Sequence, residues 1–226
     1  MAGPEGELDP TVSPDGNWIL YFDRPTQFRL NATDPLSLKR APISGGPAQE
    51  VLNERGFARI SCAQRLPGGC VVDQRTENQL RLYSFDPLRG KGPELTSIEI
   101  DPSVRTEYYW ELSPDGSQIA IMTATSANRI RILSVAEKTS RDVEIVAPGW
   151  SGFSDKWSAD GNGWFVTAHS AASEVLLHVD EQGRATVLRE QPMSVGGLWV
   201  IPSPDGRYLA FPVETSSGNA WLIEKF

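Results

Sequence analysis

Four tetrapeptides set the layout of this chain: Ser13-Pro14-Asp15-Gly16, Ser113-Pro114-Asp115-Gly116, Ser158-Ala159-Asp160-Gly161 and Ser203-Pro204-Asp205-Gly206. The last three glycines stand 45 residues apart, and an alternating apolar run follows each copy. A fixed period of that size marks a repeat architecture, in which one supersecondary unit recurs and buries its apolar faces on its neighbours. Gly16 and Gly116 are separated by 100 residues, about two periods, so a worn copy belongs near the midpoint. Leu66-Pro67-Gly68-Gly69-Cys70-Val71-Val72 occupies that place, which makes five units in 226 residues.

Each tetrapeptide reads as a turn. Proline presets φ for the first central position of a type I turn, aspartate follows comfortably, and glycine takes the left-handed conformation that returns the chain as a hairpin. The flanking runs 17–22, 118–122, 164–166 and 207–211 are β-prone. The first period holds potential strands at 8–12, 17–22, 38–43 and 49–52; the second at 59–64, 70–74, 79–85 and 94–98. The third has 108–112, 118–124, 129–136 and 141–146, the fourth 153–157, 163–168, 174–180 and 185–189, and the fifth 197–201, 207–213 and 220–224. Four antiparallel strands per period predict an all-β fold, a five-bladed β-propeller forming one domain over 1–226. Its blades span 8–52, 59–98, 108–146, 153–189 and 197–226. The fifth lacks a fourth strand, so residues 5–9 are expected to pair with the last strand, because an open edge invites aggregation. The rival arrangement is the C-terminal part of a larger propeller.

Composition narrows the function classes. A hydrophobic content of 39% suffices for a core, 22% charged residues argue against disorder, and 17 prolines with 20 glycines suit many short strands and turns. A net charge of −8 repels phosphate backbones and anionic lipid, so neither nucleic acid nor direct membrane contact is expected. No apolar stretch approaches the roughly 20 residues of a membrane span, and Met1 to Gly6 do not resemble a signal peptide. Cys62 and Cys70 read as two free, partly buried thiols, with a disulfide as the alternative, and Cys62 is expected opposite a residue near Arg75.

In a propeller the first strand of each blade lines the channel, and side chains two apart share a face. Counting back from the turns gives one ring of Asp9, Cys62, Tyr109, Ser154 and Trp199 and a second of Thr11, Gln64, Glu111, Lys156 and Ile201. The interleaved Pro10, Val12, Trp110, Leu112, Trp157 and Val200 suit packing between blades, and Asp155 breaks that pattern. Candidate ligand-binding residues at the channel mouth are Asp9, Tyr109, Glu111, Lys156 and Trp199, with the two aromatics as platforms and the charged groups as bonding partners. The plainer account has Glu111 and Lys156 neutralising each other across adjacent blades. Trp150 is placed on the rim, with core packing as the alternative.

Catalytic signatures are sparse. Asp15, Asp115, Asp160 and Asp205 sit in separate turns and read as structural. His169 and His178 are too few for a His-rich metal cluster. Gly149-Trp150-Ser151-Gly152 is not a nucleophile elbow, and no phosphate-binding glycine loop occurs. No catalytic residue, metal or cofactor is assigned. A glycosidase or lactonase using Asp9, Glu111 and Asp155 is the enzyme alternative, and a stand-alone carbohydrate-binding propeller is the other.

The Ser-Pro-Asp-Gly unit followed by an apolar strand is similar to the TolB-type propeller repeat. Over 108–226, Trp150-Ser151-Gly152-Phe153, Trp157-Ser158-Ala159-Asp160-Gly161, Val187-Leu188-Arg189-Glu190-Gln191, Trp199, Pro202 to Arg207 and the ending Ser217 to Phe226 resemble the C-terminal propeller of acidobacterial regulators. In such proteins the propeller follows a serine/threonine kinase or winged-helix domain. The resemblance implies a sensor or interaction module of a bacterial signalling protein that binds a protein or small polar ligand. It would be periplasmic if part of a receptor kinase and cytoplasmic otherwise, with a monomer favoured.

Overall fold

The computed structural model describes residues 5–25, 35–57, 59–100, 108–123, 128–193, 198 and 200–211, and among them every regular element is a strand. The first sheet is β1 (Glu5–Val12), β2 (Trp18–Pro25), β3 (Pro35–Pro42) and β4 (Gln49–Arg55). The second is β5 (Ile60–Cys62), β6 (Cys70–Arg75), β7 (Gln79–Asp86) and β8 (Gly90–Glu99). The third is β9 (Tyr108–Leu112), β10 (Gln118–Thr123), β11 (Arg129–Ser134) and β12 (Ser140–Glu144). The fourth is β13 (Ser151–Trp157), β14 (Gly163–His169), β15 (Ser173–Asp180) and β16 (Ala185–Pro192). A two-stranded ladder of β17 (Ile201–Pro202) and β18 (Leu209–Ala210) follows. Each sheet is an antiparallel meander in chain order, and the first strands contact one another in the sequence β1, β5, β9, β13, β17. The sheets therefore fan outward from a shared set of inner strands.

The turn motif is a hydrogen-bonded clasp. At Ser13, Ser113 and Ser203 the hydroxyl donates to the aspartate Oδ1 at 2.5–2.6 Å and accepts the backbone N–H five residues on at 2.9–3.0 Å. The same Oδ1 accepts the N–H two residues beyond the aspartate at 3.0–3.2 Å. Ser158 makes the corresponding 2.5 Å bond to Asp160. The four glycines have φ between 69° and 78°, where only a residue without Cβ is unstrained. One side-chain pair thus fixes both the turn and the register of the strands leaving it.

Alternation along the strands sends side chains to opposite faces, so each apolar layer is shared by two sheets. Leu20, Phe22 and Leu38 of the first sheet meet Ile60, Val72 and Phe85 of the second. Val71, Leu80 and Leu82 meet Trp110, Ile119 and Ile121 of the third. Ala120 and Met122, on the other face of β10, meet Trp157, Trp164 and Val166 of the fourth. Leu176 packs on Leu198 and Val200. A fully buried side chain of this size contributes about 1.5–3 kcal/mol, so these layers between sheets hold the fan together.

Residues 5–9, expected to pair with the last strand of the fifth blade, lie in β1, with Glu5 to Leu8 in register with Pro25 to Phe22 of β2. Two expectations are corrected. Val12, expected to pack between blades, is half exposed. Cys62 and Cys70 form a disulfide and face each other in the β5–β6 ladder. An opposing residue near Arg75 would centre the turn on Gly68-Gly69, whereas the chain reverses around Leu66-Pro67. Ala63 N–H bonds the Gly69 carbonyl at 2.9 Å, six residues on, where the other copies span five. Ala63 and Arg65 thus stand where the clasp has serine and aspartate, and the disulfide joins the strands at that point. Gly68 is required here, since a Cβ would lie 2.3 Å from Ala63 Cβ and 2.8 Å from the Asp115 carbonyl. Of the expected fifth-blade strands, 220–224 lies outside the described residues.

Candidate functional site

Aligning the inner strands by their ladders places Thr11, Ser61, Glu111, Lys156 and Ile201 at one level, opposite Leu20, Val71, Ala120, Phe165 and Ala210. Two residues earlier stand Asp9, Tyr109 and Ser154 on β1, β9 and β13, and Arg59 just before β5. The second blade is therefore three residues out of step with the sequence expectation: Arg59 and Ser61 take the places given to Cys62 and Gln64. Gln64 instead lies in the turn, its N–H bonded to the Pro114 carbonyl at 2.9 Å.

This shift completes a cluster that spans three sheets. The Glu111 carboxylate accepts from Lys156 Nζ at 2.7 Å, from Arg59 Nη2 at 3.4 Å and from Ser61 Oγ at 3.3 Å. Side-chain exposures of 18% for Glu111, 27% for Arg59 and 33% for Lys156 keep the group in contact with solvent. Buried Ser61 also accepts the Leu112 N–H at 3.2 Å, and Trp157 Nε1 donates to the Glu111 carbonyl at 3.1 Å. Glu111 is thus held by its backbone, by a hydroxyl and by two cations at once. The expected Glu111–Lys156 neutralisation is present, with Arg59 as an additional member.

Asp73 anchors the second sheet to this cluster. Buried in β6, it accepts the Arg59 N–H at 2.8 Å and Trp110 Nε1 at 3.1 Å. The sequence signal for it was a lone carboxylate ending the apolar run Cys70-Val71-Val72. Trp110 and Trp157 are buried between sheets as expected. Tyr109 and Trp150 are partly buried against the layer between the third and fourth sheets, which favours the packing alternative for Trp150. Asp9 and Asp155 belong to β1 and β13, but their side chains lie outside the described residues, as does all of Trp199.

The turn aspartates lie in four separate clasps. Asp15, Asp160 and Asp205 are held below the usual carboxylate range chiefly by the Ser13, Ser158 and Ser203 hydroxyls, with backbone N–H groups adding to the effect. At Asp115 burial pushes upward, and bonds from Ser113 and Ser117 outweigh it to lower the value. These are the shifts of carboxylates solvated by their own turns.

No protein-family model and no curated protein matches the chain. Among solved structures it is similar to TolB from Acinetobacter baumannii, with a TM-score of 0.63, 16% identity, and coverage of 92% of this chain and 54% of that one. Oligogalacturonate lyase from Vibrio parahaemolyticus superposes with a TM-score of 0.61 and 10% identity, over 92% of this chain and 59% of the lyase. The fold is that of a TolB-like β-propeller. Puromycin hydrolase gives a TM-score of 0.57 and 19% identity over 89% of this chain but 32% of the hydrolase. The chain thus spans about a third to three-fifths of these proteins. In a propeller the inner strands surround the central channel, and Ser61, Glu111 and Lys156 belong to the first strands β5, β9 and β13, with Arg59 adjoining β5.

Proposed function

We propose that this propeller is a non-catalytic binding module, with the ligand or partner protein docking at the channel mouth formed by Tyr109, Arg59, Glu111 and Lys156. Asp9, in β1, and Trp199, by its spacing from the last turn motif in the sequence, are assigned to the same mouth. The observation that carries this reading is the engagement of Glu111: its carboxylate is spent on two cations and a hydroxyl. That arrangement supplies a rigid polar surface, whereas glycoside cleavage needs a pair of carboxylates flanking the scissile bond. The differences among Thr11, Ser61, Glu111, Lys156 and Ile201 weigh against a lectin with repeated equivalent sites.

The likeness of the 108–226 region to acidobacterial regulators supports a sensor or interaction role in a larger bacterial signalling protein of the receptor-kinase or winged-helix type. Five-bladed closure belongs to the same proposal. The opposing reading is enzymatic, favoured by the hydrolase and lyase among the structural neighbours. The test is a panel of puromycin, oligogalacturonate and nitrophenyl glycosides, run beside a binding screen against immobilised peptides and glycans. Turnover abolished by Glu111→Gln would overturn the binding-module reading. Binding without turnover, weakened by Tyr109→Ala with folding intact, is the expected result.

A further inference from the structure

We infer that the Cys62–Cys70 disulfide is a redox control on the channel-mouth cluster, a regulatory role that rests on the binding-module reading. The argument starts from what the second sheet lacks. The other turns are locked by a serine–aspartate clasp, but here Ala63 and Arg65 occupy those two places and supply neither hydroxyl nor carboxylate. The disulfide joins the ladder pair directly beside the turn, Cys62 to Cys70, at the position of Leu112 and Ile119 in the third sheet. A covalent link that responds to thiols therefore replaces a hydrogen-bonded one that does not.

Its placement couples it to the site. β5 is only three residues long, and with the adjoining Arg59 it carries both groups that the second sheet contributes to Glu111. Ser61 is the immediate neighbour of Cys62 and holds both the Glu111 carboxylate and the Leu112 N–H. Cys62 is partly exposed while Cys70 is buried, so an incoming thiolate reaches the Cys62 sulfur first. Attack there forms a mixed disulfide and expels the Cys70 thiolate. The second thiol of a dithiol reductant then releases Cys62, so two electrons and two protons pass to the protein and the reductant leaves as its own disulfide. β5 is then held by its backbone ladder and packing, and its hold on Glu111 loosens.

The test is hydrogen exchange of the full chain, oxidised and after dithiothreitol, with the state of the two cysteines assigned by mass spectrometry. Reduction is expected to accelerate exchange of the Ala63, Asp73 and Leu112 amides at least tenfold while the Ser158 and Gly161 amides stay unchanged. A Cys62→Ala/Cys70→Ala variant should match the reduced protein and ignore the reductant. Three results each overturn the inference: no disulfide in the oxidised protein, a disulfide that dithiothreitol leaves intact in the native state, or unchanged exchange after reduction. No ligand enters the experiment, so its failure is distinct from failure of the binding proposal.

Discussion

Replacing Glu111 with glutamine preserves shape and removes the charge that joins three sheets. At an effective dielectric of about 20, the gross attraction is about 6 kcal/mol for the 2.7 Å contact to Lys156 and about 5 kcal/mol for the 3.4 Å contact to Arg59. Desolvation and side-chain ordering cancel most of that. Exposed pairs contribute about 0–1 kcal/mol net, whereas breaking a buried pair costs about 3–5 kcal/mol. With exposures of 18–33% the cluster lies between these limits, so Glu111→Gln should destabilise by about 2 kcal/mol. In a chain of this size that lowers Tm by about 4–8 °C. The decisive assay is a double-mutant cycle with Lys156→Met, followed by urea unfolding at low and high salt. The double variant should lose at least about 1 kcal/mol less than the sum of the singles, because each single leaves a charge that the other had neutralised. Strict additivity, with single losses under about 0.5 kcal/mol, would refute the view that this cluster ties the sheets together.

The clasps predict acid sensitivity. Asp15, Asp115, Asp160 and Asp205 are depressed in the folded state, so their contribution is fully present above the unfolded aspartate value and disappears as pH falls through the lower folded values. Urea midpoints should therefore be flat near neutrality and fall below about pH 4, and Asp115→Asn should flatten that fall. Ser113→Ala, which removes two bonds of one clasp, should cost about 1–2 kcal/mol by chemical denaturation. Gly183 has φ of 81°, and a Cβ there would lie 1.8 Å from the Glu144 carbonyl across the third and fourth sheets. Gly183→Ala should accordingly cost more than about 2 kcal/mol, visible as a lowered melting temperature.

The repeat was legible because the clasp depends on side chains that the sequence spells out, and the strands beside each intact copy fall within a few residues of their expected places. The second sheet was not, because its turn carries one extra residue and none of the clasp chemistry. Setting Leu66-Pro67 on the Ser-Pro of the intact copies displaced the first strand by three residues, which hid Arg59 and Ser61 and separated Cys62 from its partner. Aligning Ala63 with the clasp serines would have recovered both. Asp73 was missed for a different reason: its partners, the Arg59 N–H and the Trp110 indole, come from a neighbouring strand and a neighbouring sheet. The Glu111–Lys156 pair could be anticipated since both stand at the same distance from intact motifs.

Every apolar layer in this molecule has two owners. Excising one repeat would strand the exposed halves of both neighbours, so viable changes of length come only as whole units inserted between compatible surfaces. Bulk added at Trp110 must likewise be answered by shrinkage at Leu80 or Leu82, residues nearly thirty positions away in the chain. Substitutions at such positions should travel through related sequences as partners spaced by part of a repeat.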